Sequence, residues 1–252
     1  MIDISSGDAR LDAFLADGYM RIRGMSSRFA AAICGHLIGF QTAQGITGDL
    51  LEIGTFEGRF FVAMAMLLAP GEHALGIDVF TWPSAAVYDH LLENCAAAGL
   101  AATSYTAWKA DTRSITPSEL RARLPSGHAR FVHVDSEHVP DILRNDLELA
   151  HAGLHPDGVI AIDDMLHPGY PTLITMVLDY LQRHPEMRVF CIVDRERITA
   201  AAKFLICREG LVEAYARDLL AAYPKFHYVL NGDFMGQMVL VLTPDPTLPK
   251  VD

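Results

Sequence analysis

Cysteine is scarce in this 252-residue chain. Its four cysteines, Cys34, Cys95, Cys191 and Cys207, lie far apart with no Cys-x-x-Cys, which points to neither a zinc site nor a disulfide framework. Charge is also low, at 20% of residues, and cations are the minority. The 20 Lys+Arg against 31 Asp+Glu leave a formal charge of −11. Phosphate contacts need clustered cations, so no nucleic-acid partner is expected. Long apolar runs are missing too. The longest, Phe60 to Ala69, has 10 residues, against roughly 18 for a membrane span, so no membrane partner is expected. The opening Met1-Ile2-Asp3-Ile4-Ser5 carries acid without a basic-then-apolar pattern, so no secretory signal is expected and the expected location is the cytoplasm. Internal repeats and low-complexity tracts are absent.

What is present is ample core, with 51% hydrophobic residues, and a length that fits one α/β domain with additions. Short apolar runs begin at Leu50, Ala74, Ser104, Phe131, Val159 and Arg188, spaced 24, 30, 27, 28 and 29 residues apart. That interval holds a strand, a crossover helix and two short loops. It predicts a doubly wound, mostly parallel, Rossmann-like sheet of about seven strands with helices on both faces. Helices are expected over 58–69, 84–98, 117–124, 140–152 and 171–183, three of them with proline at or near the start, where the missing N–H costs little. A further helix over 26–44, capped by Ser26 or Ser27, belongs to an N-terminal helical cap segment (1–48). It is expected to cover the edge or mouth of the sheet, with plain packing preferred over a lid or dimer element, and it or the strand near Val239 offers a homo-oligomer contact. Residues 49–252 form the main domain, including a C-terminal extension with strand candidates at 203–207 and 237–242.

In an open α/β sheet, ligands bind outside the carboxyl ends of the strands. Five consecutive units place glycine or acid there: Gly54, Asp78, Asp111, Asp135 and the pair Asp163-Asp164. Any one of these acids is commonly a helix cap or a turn residue, but five in register point to a ligand. The first turn, Glu52-Ile53-Gly54-Thr55-Phe56-Glu57-Gly58, lets backbone approach a ligand at Gly54 and Gly58. Its two acids disfavour a phosphate and suit a cationic ligand. Asp78 is placed to accept the hydroxyls of a ribose. Asp111, followed by Thr112, sits at the height of an adenine, where a plain turn aspartate is equally compatible. Asp135 and the Asp163-Asp164 pair end strands expected to lie roughly 4.8 Å apart. Three converging carboxylates call for a cation, and an oxygen-rich set without cysteine suits Mg²⁺, Mn²⁺ or Ca²⁺. His133 falls within a strand and is expected in the core.

From Asp49 to Asp194 this pattern resembles class I S-adenosylmethionine-dependent methyltransferases. The resemblance implies that Gly54 and Gly58 flank the methionine part of the cofactor, Asp78 holds the ribose, and Asp111 with Thr112 marks the adenine. Glu52 and Thr55 would support them. Phe56 stands where the commoner form of the motif has glycine. The run Asp135-Ser136-Glu137-His138, with Asp163 and Asp164, is similar to the macrocin and mycinamicin O-methyltransferases and the cephalosporin-hydroxylase-like proteins. That likeness implies a divalent metal on Asp135, Asp163 and Asp164, His138 as base, and a small hydroxylated acceptor such as a sugar or glycosylated natural product. His167 and Tyr170 would line the acceptor pocket. Two alternatives share the fold: an NAD(P)-linked oxidoreductase, against which the absent Gly-x-Gly-x-x-Gly counts, and a protein that binds the cofactor without catalysis.

Overall fold

The computed structural model describes residues 2–229 and 232–247. All six apolar runs form strands: β1 (Asp49–Ile53), β2 (Ala74–Asp78), β3 (Tyr105–Lys109), β4 (Ala129–Val134), β5 (Leu154–Met165) and β6 (Met187–Val193). The C-terminal extension adds β7 (Ala202–Arg208), β8 (Gly232–Phe234) and β9 (Gln237–Leu242). The sheet runs in the order β3-β2-β1-β4-β5-β7-β6-β9-β8. Its first five strands are parallel neighbours, as expected. The expected seven strands become nine because residues 232–242 fold into a hairpin whose second strand pairs with β6.

β7 settles which late strand joins the centre. Only residues 194–201 connect β6 to β7, too few for a parallel crossover, which takes a dozen or more. β7 therefore runs antiparallel between β5 and β6. Its register with β5 slips by one residue between Ile162 and Met165, a bulge that falls on Asp163-Asp164.

Helices cover both faces. On one lie α2 (Arg28–Ala43), α3 (Arg59–Ala65) and α8 (Val212–Ala222); on the other lie α5 (Pro117–Arg123), α6 (Pro140–Gly153) and α7 (Leu173–Arg183). Short α1 (Ala9–Ala13) precedes them, and α4 (Ala86–Ala97) packs on α3 through Leu91 and Cys95. Ser27 caps α2 by accepting the Ala30 N–H at 2.9 Å. The helix packs into the core, the role preferred for it over a lid. Phe29, Ile33 and Leu37 are fully buried against the sheet, each worth about 1.5–3 kcal/mol. All four cysteines are free and buried, and no described helix is long and apolar enough to cross a membrane.

Side chains alternate across a strand, so residues two apart share a face. Leu50, Phe131, Ala161 and Leu205 face the α2 side. The same alternation puts Glu52, His133, Asp163 and Lys203 on that face, in the middle of the sheet.

Candidate functional site

The first turn is shaped by contact with its neighbour strand. Gly54 has φ +88, and a Cβ there would lie 2.0 Å from the Asp135 carbonyl oxygen. Only glycine lets the ends of β1 and β4 come this close. Phe56 also sits at positive φ, +50, and its N–H donates to Asp78 Oδ2 at 2.8 Å. Asp78 Oδ1 takes the Phe80 N–H at 2.7 Å, so both carboxylate oxygens are fixed by backbone and each retains a lone pair.

A cavity of about 610 Å³ opens over these strand ends. Glu52, Gly54, Thr55, Asp78, Asp111, Thr112, Asp135 and His138 all line it, as does Tyr170. Four expected site residues do not: Gly58, Asp163, Asp164 and His167. Gly58 instead makes room for α4, since a Cβ there would lie 2.3 Å from Leu91 Cδ1. Asp163 and Asp164 are not part of the cavity wall. Of the acids that do line it, Asp111 is engaged by Arg113, whose Nε donates to it at 2.9 Å. That bonding holds its carboxyl below the usual range. The roof comes from the N-terminal cap segment, at Arg23, Gly24, Met25 and Ser26, the stretch just before the helix expected at the mouth. Arg59 Nε holds this strap by donating to the Ile22 carbonyl at 2.6 Å, and Arg23 pairs with Glu57 at 2.5 Å.

Beneath the cavity runs a buried polar chain. Lys203, from β7, donates to Asp163 Oδ2 and lies 2.8 Å from His133 Nε2. An ammonium can only donate, so His133 accepts on Nε2 and carries its proton on Nδ1. That Nδ1 donates to Glu52 Oε1 at 2.7 Å. Phe60 stacks on the His133 ring at 3.9 Å. His133 is thus buried, as expected, but it links Glu52 to Lys203 instead of simply filling the core. Burial, aided by the Lys203 charge, holds its pKa well below 6.5 and keeps it neutral. Burial also pushes the Glu52 carboxyl well above the usual range, against the pull of Lys203. Asp135 is raised by burial and by Asp163. Burial works against the Lys203 ammonium, yet Asp163 and Asp135 outweigh it and hold the pKa above 10.5.

The expected metal set of Asp135, Asp163 and Asp164 does not assemble. Asp163 holds Lys203. Asp164, at φ +59 in the β5 bulge, turns to His138 and accepts from Nε2 at 2.6 Å. The set that does converge is His133, Asp135 and Asp163, with ligand atoms within 4.8 Å of one another. Its imidazole has both nitrogens in use, and the Lys203 ammonium already sits among its donors. This arrangement does not fit a divalent ion.

The His138 ring stacks on Tyr170 at 3.9 Å and 13°. Tyr170 stacks in turn on His167 at 4.7 Å. Burial opposes protonation of His138, but the hydrogen bond and charge of Asp164 prevail and raise its pKa above 6.5. The ring is one-third exposed, with its Nδ1 free of hydrogen bonds among the described residues. Two buried atoms of cavity-lining residues lack partners among the described residues: Glu52 Oε2 and Ser26 Oγ. Unpaired buried polar atoms are costly, and both mark where a polar ligand would bond.

A family model described as a methyltransferase domain matches residues 51–165. No protein of curated function matches the chain. Solved structures do. CalS11, a TDP-rhamnose 3'-O-methyltransferase of calicheamicin biosynthesis, is 18% identical with a TM-score of 0.55, over 80% of this chain and 92% of its own. An O-methyltransferase from Bacillus cereus, solved with S-adenosylhomocysteine, is 14% identical with a TM-score of 0.57, over 80% and 91%. TomG from Streptomyces achromogenes, an O-methyltransferase of tomaymycin synthesis solved with S-adenosylmethionine, is 18% identical with a TM-score of 0.56, over 80% and 90%. The chain has the Rossmann-like fold of these O-methyltransferases, and its segment 51–165 matches the methyltransferase domain.

Proposed function

We propose that the protein is an S-adenosylmethionine-dependent O-methyltransferase acting on a hydroxyl of a small molecule, with a sugar or glycosylated natural product first among acceptors. The observation that carries this reading is one cavity whose wall joins the Gly54 turn and Asp78 to His138, itself held by Asp164. When bound, S-adenosylmethionine supplies an electrophilic sulfonium methyl group. The chain's residues fit its parts. Glu52 Oε2, buried and unpaired, suits the ammonium of the methionine portion, whose charge would favour the ionised carboxylate. Asp78 offers two free lone pairs to the ribose hydroxyls. Phe56 stands where a dinucleotide site would need its central glycine, and no feature of the cavity favours the oxidoreductase alternative.

His138 is the base in this reading. Asp164 accepts from its Nε2, which leaves Nδ1 to take the acceptor's proton as the oxygen becomes nucleophilic. Stacking between Tyr170 and His167 fixes the ring plane. Met25, Trp82 and Tyr170 are cavity-lining residues that are 51%, 64% and 36% exposed. They offer apolar surface to one face of a sugar or ring. Proximity supplies much of the rate, because the donor is already reactive. The expected Mg²⁺ has no part in this reading, because two of the three carboxylates expected to hold it, Asp163 and Asp164, are bonded to Lys203 and His138.

The test is transfer of label from methyl-labelled S-adenosylmethionine to a panel of hydroxylated sugars and glycosides. Transfer that the His138→Ala variant loses is expected. Nicotinamide-linked turnover of the same panel, with no label transferred, would overturn the reading.

A further inference from the structure

Lys203 is 1% exposed, in a strand whose other residues are apolar as far as Cys207. Its ammonium meets the Asp163 carboxylate, accepts no bond itself, donates toward His133 Nε2 at 2.8 Å, and lies 4.8 Å from the centroid of the Phe60 ring. Burying an ammonium is expensive unless carboxylates and hydrogen bonds compensate it. Placing the Asp163 and Asp135 carboxylates within 4.8 Å of each other is expensive for the mirror-image reason. Each charge explains the other. The donors around this ammonium are also those that a divalent ion would use: two carboxylates and an imidazole with ligand atoms within 4.8 Å of one another. One volume cannot hold both cations.

We propose that Lys203 is the built-in counter-cation of this cluster and stands in for a divalent metal. The native protein takes no ion there. Removing the ammonium opens a site for a divalent cation that accepts mixed oxygen and nitrogen donors, formed by Asp135, Asp163 and His133. A consequence, which rests on the methyltransferase reading, is that methyl transfer proceeds in EDTA. The ion-binding statement itself does not depend on that reading.

Mn²⁺ titration followed by electron paramagnetic resonance tests the proposal on the full chain. Four proteins are compared: wild type, Asp135→Asn, Lys203→Ala and Lys203→Ala/Asp135→Asn. The expected result is equal Mn²⁺ uptake by wild type and Asp135→Asn. Lys203→Ala gains one further ion at least about tenfold tighter than any wild-type binding, and the double variant loses it. Lys203→Ser serves as the neutral variant if the alanine form does not fold, as judged by near-ultraviolet circular dichroism. Mn²⁺ bound by wild type and lost in Asp135→Asn overturns the proposal, and this arm stands whether or not any Lys203 variant folds. A folded Lys203 variant that gains no Mn²⁺ overturns it equally. S-adenosylhomocysteine is titrated into wild type in parallel; absence of that binding strikes the methyltransferase reading alone.

Discussion

Gly54→Ala puts a single methyl group into the closest backbone approach of the cavity wall. Its Cβ would lie 2.0 Å from the Asp135 carbonyl oxygen, 2.4 Å from the carbonyl carbon and 2.7 Å from Ser136 Cα. All three are backbone atoms, so no rotamer change relieves the clash. The left-handed backbone costs a non-glycine residue about 1–2 kcal/mol. Forcing β1 and β4 apart adds about 1–3 kcal/mol, by analogy with overpacked cores. The sum is about 2–5 kcal/mol. Gly71 is the control, because it has φ +89 with nothing within 4 Å of its added Cβ, so Gly71→Ala carries the strain without the clash. Urea denaturation reads the stability of both variants, and calorimetry with S-adenosylhomocysteine reads the cavity. Gly54→Ala is expected to lose at least about 1 kcal/mol more than Gly71→Ala and to lose cofactor affinity that Gly71→Ala keeps. Equal losses in both assays would refute the reasoning.

Two further outcomes follow from named contacts. His138 must be neutral to take a proton, and Asp164 raises its pKa, so activity falls as pH drops through that raised value. Asp164→Asn is expected to move this acid limb to lower pH while cutting turnover by about 10²- to 10⁴-fold; an unmoved limb would remove His138 as the base. At the opposite end of the sheet, the fully buried Arg130 guanidinium grips Glu72 with two bonds of 2.7 Å. Glu72→Gln leaves that charge uncompensated and is expected to cost about 3–5 kcal/mol in urea denaturation, and a cost below about 1 kcal/mol would show the pair to be dispensable.

The strands on which the site stands were legible because each is a short apolar run at a regular interval, and the acids of the wall follow directly at their ends. Asp78 and Asp135 needed only that rule, whereas His138 came from the likeness of Asp135-Ser136-Glu137-His138 to the macrocin and mycinamicin O-methyltransferases. The β5 bulge was not legible, since it depends on pairing with a strand some 40 residues later. Without it, Asp163 and Asp164 read as one acidic pair, whereas the bulge sends one to Lys203 and the other to His138. Lys203 itself was missed, although a signal existed. A lone lysine among Ala200-Ala201-Ala202 and Phe204-Leu205-Ile206-Cys207 requires a buried partner, as do Glu52 and His133 inside their own apolar strands. Three such residues in separate strands are partners for one another, but only the register of an antiparallel insertion shows it. The strap over the cavity was hidden for a different reason. Its residues Arg23 to Ser26 carry no motif, and they reach the site through the Arg59 side chain holding the Ile22 carbonyl.

The central claim is a cofactor cavity in the first half of the sheet that functions without a metal. Calorimetric titration of S-adenosylhomocysteine into wild type in EDTA tests it most directly, with the same titration in Mg²⁺ alongside. Binding at micromolar affinity or tighter, equal in both buffers and weakened by Glu52→Gln, is predicted. Absence of binding in both buffers would contradict the cofactor assignment, and binding that appears only with Mg²⁺ would contradict the role given to Lys203.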